Sequence, residues 1–334
     1  MSSREVIEAL PKVELHVHLE GSIQPETLLK LAERNKVTLP ANDVAGLHDW
    51  FTFRDFSHFV EIYVAASKCI RTPGDLELIA EEFALGQAKQ NVLYTEAHYT
   101  AMTIHRYSGI PWDEQIDALQ RGFNKVSDTK VNLIVDIVRE FPVEEGEMIA
   151  QWCIHGQSKG IVAIGLSGFE GQTPVSKHEH AFRIAREAGL KCSAHAGETG
   201  GAAAIREVLD VIKADRIGHG VKCLEDGPLV RELREKQIHL EVNPTSNVKL
   251  GLFPTLAEHP LPLLLDEGLS VSINSDDPPY FNTSLTDEWA RCAEEFELST
   301  DILYSLCQNA ASNAFISDEE RLALKQSINQ SWEA

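Results

Sequence analysis

A (β/α)8 (TIM) barrel is the fold class this sequence predicts, and three observations predict it. Short apolar segments with strand character recur eight times along the 334 residues. Helix-period stretches separate most of them. Regular alternation of the two implies a parallel sheet with helical crossovers, and eight such units in a chain of this length close into one barrel. An open doubly wound sheet is the competing architecture. It would bring a glycine-rich phosphate turn after an early strand, and no G-x-G-x-x-G occurs. A single domain over residues 1–334 is the simplest organisation, because no low-complexity tract or Gly/Ser linker breaks the chain.

The predicted strands are VELHVH (13–18), VLYTEAH (92–98), VNLIVDIV (131–138), IVAIGLSG (161–168), LKCSAHAG (190–197), DRIGHG (215–220), IHLEVNP (238–244) and LSVSINSDD (269–277). Between them lie helical patterns. The stretch DLELIAEEFALGQAKQ follows Pro73-Gly74 and sets Leu76, Ile79, Ala80 and Phe83 on one face. EQIDALQRGFNKV, EHAFRIAREAG, AAIREVLDVIK and PLVRELREKQ behave alike. About seventy residues separate the first two strands, far more than a usual crossover. That insertion carries Trp50, Phe51, Phe53, Phe56, Phe59 and Tyr63. Extra helices packed on the barrel are expected there, forming a lid over the catalytic face.

Composition narrows the function. A net charge of −21 repels polyphosphate, so nucleic-acid and anionic-membrane partners are not expected. No apolar run reaches the ~18 residues of a membrane span, and the N-terminus lacks the apolar core of a secretory signal. The six cysteines are scattered without a C-x-x-C pair, which reads as free thiols in a reducing cytoplasm.

The chemistry sits where polar residues interrupt apolar strands. In VELHVH, alternation puts Val13, Leu15 and Val17 on one face and Glu14, His16 and His18 on the other. The outward face of a barrel packs on helices, so His16 and His18 are expected inside, near the C-terminal rim where barrel enzymes work. Other strands end alike: His195 and Glu198 in SAHAGE, His219 in IGHG, Asp276 and Asp277 in INSDDPP. Each alone could be a satisfied core group or a turn. Gathered at one rim, imidazoles and carboxylates are the ligand types of a catalytic, zinc-like ion with an open position. No G-x-S-x-G elbow is present, and a paired-carboxylate glycosidase scheme leaves the histidines unexplained.

Four segments, LPKVELHVHLEGSIQPETLLKLA, AHAGE, DRIGHGVKCLED and INSDDPPYF, resemble the adenosine deaminase family of metal-dependent amidohydrolases. The resemblance runs in order from about residue 8 to about residue 315. It implies one zinc ion per chain, held by His16, His18, His195 and Asp276, and hydrolytic deamination at C6 of a purine. It implies Glu198 as proton donor to N1, His219 as the group polarising the attacking water, Asp277 against the base near N7, and Gly168 at N3. His18 borders both metal and substrate. Glu20 stands where adenosine-specific members carry an Asp that contacts ribose. The fourth strand offers no bridging Lys or Glu, which favours one metal. His98 stands where many members have Arg, Asn243 where Cys is common, and Phe169 where an acidic or amide residue is usual. The resemblance implies adenosine or deoxyadenosine as leading substrate, with adenine and aminodeoxyfutalosine as alternatives. A zinc amidohydrolase acting on an amide or ester is the other reaction class. The partner is a small purine, and the sequence does not give the oligomeric state.

Overall fold

The structure, a computed structural model, describes residues 3–332. Eight strands are present: β1 (Lys12–His18), β2 (Val92–Tyr99), β3 (Lys130–Val138), β4 (Ile161–Ser167), β5 (Lys191–Ala196), β6 (Arg216–His219), β7 (His239–Val242) and β8 (Val271–Ile273). They stand side by side in chain order, each parallel to the next. All eight predicted strands are therefore found. The last two are shorter than their predicted segments, because the chain leaves the ladder before the polar residues at their ends, Asn243 after β7 and Asn274–Asp277 after β8.

Closure between β8 and β1 takes an unusual form. In place of a ladder, one parallel bridge joins Val17 to Asp276. His18 N–H donates to the Asp276 carbonyl at 2.8 Å, and Asp276 N–H donates to the His16 carbonyl at 3.2 Å. Lower down, the Asn274 side-chain oxygen accepts the Leu15 N–H at 2.9 Å. The seam of the barrel thus runs through three residues of the expected metal site.

Alternation along β1 departs from the simple pattern. The register against β2 slips between Glu14, paired with Thr95, and Val17, paired with Ala97. Such a bulge inserts one residue and re-aims the side chains beyond it. Glu14 consequently faces out, against expectation. There its carboxylate accepts from Ser275 N–H at 3.0 Å, from the Ser275 hydroxyl and from Gln87. His16 and His18 face inward as expected.

Helix α1 (Ser3–Ala9) precedes the barrel. The long insertion after β1 folds into α2 (Pro25–Asn35), α3 (Val44–Trp50), α4 (Phe56–Ser67) and α5 (Pro73–Lys89). Pro73 opens α5, and a Thr72/Asp75 capping box satisfies its first amides. Leu76, Ile79, Ala80 and Phe83 are all buried along it, as their spacing predicts. On α2, Leu28 and Leu31 are fully buried, each stabilising the fold by about 1.5–3 kcal/mol. Helix α4 lies across the C-terminal mouth, with Phe56, Phe59, Val60 and Tyr63 over the cavity beneath. It is the roof expected of this insertion. Trp50 and Phe51 instead pack beside it, Phe51 against Tyr280 with ring centroids 4.6 Å apart. All six cysteines are buried and free. Among the described residues, no helix is long and apolar enough to cross a membrane.

Candidate active site

His16 comes from β1, His195 from β5, and Asp276 from the turn after β8. With His219 they offer four ligand atoms within 4.8 Å of one another, all buried. His18 joins the same place: its Nε2 lies 3.1 Å from His195 Nε2 and 3.3 Å from Asp276 Oδ1. His16 Nε2 lies 3.4 Å from that oxygen and has no hydrogen-bond partner.

The outer nitrogens explain why the inner ones are free. His16 Nδ1–H donates to Glu241 at 2.8 Å, and His195 Nδ1–H donates to the Leu166 carbonyl at 2.9 Å. Each bond leaves an Nε2 lone pair aimed at the common point, the arrangement of metal-ligating imidazoles. Gly218 permits it, since a Cβ there would sit 2.7 Å from His16 Cε1.

The charge balance fits a cation. Burial pushes Asp276 up, but His16 and His18 outweigh it and hold the carboxylate well below its usual range. Burial and four neighbouring imidazoles keep His195 neutral. Burial would likewise depress His16 and His18. Asp276 and Glu241 raise His16 to about 10, and Asp277 with Asp276 raises His18 to about 9. Positive charge is favoured here, and nitrogen and carboxylate donors in this number suit a divalent transition metal.

The turn after β5 carries Glu198, the residue expected to act as the acid. Glu198 is buried on the cavity wall, with Oε1 3.7 Å from His219 Nε2. Burial raises its carboxyl well above the usual range, helped by Asp276 and Glu170. The turn is held from outside: Glu170 accepts the N–H groups of Gly197, Glu198 and Thr199 at 2.7–2.9 Å. Arg139 donates to the His195 carbonyl at 2.7 Å.

His219 reaches the site by a backbone device. Strand pairing sets Gly218 opposite His195 and His219 opposite Ala196, so alternation alone would turn His219 outward. Its φ of +62° swings the imidazole in; Asp276 has φ +63°. Such conformations cost about 1–3 kcal/mol each and collect at working sites.

A cavity of about 110 Å³ covers these groups, bordered by His18, Gly168, Glu198, His219, Asp276 and Asp277 beneath α4. Drug-sized pockets are commonly ~300–1,000 Å³, so this one is small. Gly168 has φ +94°, in the region that favours glycine. Asp277 is buried against Gly21, where a Cβ would collide with its carboxylate. Glu20 is placed differently from expectation. It is fully buried and absent from the cavity wall. Its Oε1 accepts the Thr100 N–H at 2.9 Å and hydroxyl at 2.6 Å, and its Oε2 accepts the Tyr63 hydroxyl at 3.2 Å.

Other groups were missed by reading the sequence. Beside the expected metal ligands, Arg216 joins Glu96 and Glu241 at 2.6 Å each, all buried. Their inward positions on β2, β6 and β7 were a signal open to alternation. His98, singled out in the sequence as standing where many members have Arg, donates its Nδ1–H to Asp136 at 2.8 Å, beside His16 with ring centroids 4.6 Å apart; Asp136 was not singled out. The Ser246 hydroxyl donates to Asp276 Oδ2 at 2.7 Å. Glu170 acts from the turn after β4 and Ser246 from a short helix after β7 (Pro244–Lys249), where no periodicity points to them.

Comparison with known proteins agrees with this architecture. A profile described as adenosine deaminase matches residues 11–331. A protein named adenine deaminase from Zymomonas mobilis is 36% identical over 316 residues, covering 94% of this chain and 93% of its own. The crystal structure of adenine deaminase from Arthrobacter aurescens superposes with a TM-score of 0.91 at 32% identity, covering 97% of this chain and 100% of that one. An amidohydrolase from Burkholderia ambifaria with bound zinc gives a TM-score of 0.91 at 26% identity, covering 100% and 94%. From residue 11 to residue 331, then, this chain belongs to the adenosine deaminase family.

Proposed function

We propose that this protein hydrolyses the free base adenine to hypoxanthine and ammonia, using one zinc ion held by His16, His18, His195 and Asp276. The observation that carries the choice of base is the engagement of Glu20. Its carboxylate is consumed by Thr100 and Tyr63, so no free acceptor faces a sugar. The small cavity and the adenine deaminase names of related proteins support the same reading. It replaces adenosine as leading substrate. A bulky 5′ substituent such as that of aminodeoxyfutalosine fits the cavity still less.

Zinc, when bound, supplies Lewis acidity that makes water nucleophilic near neutral pH. The side chains do the rest. Glu198, protonated because it is buried beside acids, delivers its proton to N1 as oxygen adds at C6. Asp277 is raised well above its usual range by burial and by Asp276, so its carboxyl can donate to N7. Gly168 borders the N3 edge. The roof residues Phe56, Phe59 and Tyr63 exclude bulk water; the exocyclic amine takes the proton that the adding water gives up and departs as ammonia, while the new C6 hydroxyl returns a proton to Glu198. Glu198 also favours a deaminase over an amide or ester hydrolase, because it matches a ring nitrogen that must be protonated. The six buried free thiols fit a reducing compartment such as the cytoplasm.

The test is kcat/KM for adenine, adenosine and AMP, followed by ultraviolet absorbance and ammonia release. A nucleoside must displace the Tyr63–Glu20 contact and strand a buried carboxylate, so adenine should lead by roughly tenfold or more. Adenosine equal to or better than adenine would overturn the reading.

A further inference from the structure

We propose that His259 and Asn247 form a directional hydrogen-bond relay that holds His219 as the neutral Nε2–H tautomer, so that it presents a proton to the reacting centre and not a lone pair. This rests on the deaminase reading for what the proton does, but not for which nitrogen carries it.

The relay starts at a group that cannot reverse. The backbone N–H of Leu261 donates to His259 Nδ1 at 3.1 Å. A buried neutral imidazole accepts at one nitrogen and donates at the other. His259 is 2% exposed and burial holds it neutral, so its proton sits on Nε2. That nitrogen lies 3.1 Å from Asn247 Oδ1, which must therefore accept. The Asn247 amide then turns its N–H toward His219 Nδ1, 3.0 Å away.

A second anchor gives the same direction. Asn243 Nδ2 donates to the Glu241 carbonyl at 3.2 Å, and a carbonyl can only accept. The same nitrogen lies 3.3 Å from His219 Nδ1. Two amide donors thus face Nδ1, one fixed by a backbone N–H and the other by a backbone carbonyl. Nδ1 is the acceptor, so the proton of His219 belongs on Nε2. That nitrogen faces the cavity, 3.7 Å from Glu198 Oε1 and 3.9 Å from Asp276 Oδ2.

The consequence is a defined role. An Nε2–H can hold and polarise the oxygen that adds to C6, and it stabilises negative charge growing there. It cannot accept a proton at that nitrogen. Neither Asn247 nor His259 borders the cavity, so they are positioning residues acting through His219.

Nitrogen-15 NMR of the zinc-loaded protein with labelled histidine reads the tautomer without substrate. His219 should show an unprotonated Nδ1 and a protonated Nε2 in the wild type; the reverse overturns the proposal whatever the substrate proves to be. His259→Phe keeps the ring beside Phe253 but removes the relay, whereas His259→Gln can still donate to Asn247. Asn243 still faces Nδ1 at the longer 3.3 Å, so His259→Phe should admit a detectable share of the Nδ1–H tautomer and lower kcat about tenfold, the lower end of the effect of losing an outer partner, with KM and zinc content near wild type. His259→Gln should recover most of kcat. Equal loss in both variants with an unchanged tautomer would show that His259 merely fills space and would overturn the relay.

Discussion

Glu241 accepts the Nδ1 proton of His16 at 2.8 Å, and this bond leaves the opposite nitrogen, which has no hydrogen-bond partner, facing the cluster of His195 and Asp276. The carboxylate is itself fixed by the Ser193 hydroxyl at 3.0 Å and by Arg216 at 2.6 Å. Glu241→Gln keeps the shape but weakens the acceptor and unbalances Arg216. Zinc affinity should fall about 10- to 100-fold, read by chelator competition. Unchanged affinity would remove Glu241 from any part in holding His16.

Gly21 is glycine for space, not for conformation. A methyl group there would occupy the position of the Asp277 carboxylate. Gly21→Ala should therefore displace Asp277 and lower kcat/KM for adenine by at least tenfold, roughly the value of one buried hydrogen bond to substrate. Zinc content should stay the same. An unaltered kcat/KM would mean that Asp277 does not need its present position.

Glu198 is assigned to the ring nitrogen and not to the metal. Glu198→Gln should retain zinc and lose at least ~10²-fold in kcat, the lower range for general acid–base catalysis. Loss of the metal, or wild-type turnover, would reassign the residue.

His239 gives a pH-dependent prediction away from the metal. It is fully buried between the Ser270 and Ser272 hydroxyls at 2.9 Å each. Burial, reinforced by Arg216, pushes it down to about 3 from its ordinary 6.5. Between those values the unfolded chain binds a proton that the folded chain refuses, so stability rises with pH. Acidification from pH 6.5 should cost up to about 1.4 kcal/mol per pH unit through this one group. His239→Gln should flatten the dependence of urea unfolding on pH between 6.5 and 5. An identical slope in both proteins would deny the buried neutral state.

The barrel was legible in the alternation of short apolar strands with amphipathic helices. His16, His18, His195 and Asp276 stood out as polar residues gathered at strand ends, whereas a single polar strand residue can be a satisfied core group, as His239 is between Ser270 and Ser272. What stayed hidden depends on local departures from periodicity. The bulge in β1 turns Glu14 outward. A positive φ, not alternation, brings His219 in. The resemblance sets Glu20 where a carboxylate contacts a sugar, and a continued strand beyond His18 would carry it to the barrel mouth. The chain leaves the extended conformation there, forming a tight 3-10 turn over Glu20–Ser22, so the strand does not continue. Glu170, Asn247 and His259 act across space from loops and short helices, where no spacing rule connects them to the site.

The most direct test of the central claim is a zinc titration of metal-free protein with adenine turnover as the signal. Hydrolysis of adenine to hypoxanthine and ammonia should rise in proportion to added zinc and level off at one equivalent per chain. Saturation at two equivalents, or adenine left untouched when one equivalent is bound, would contradict a single-metal adenine deaminase.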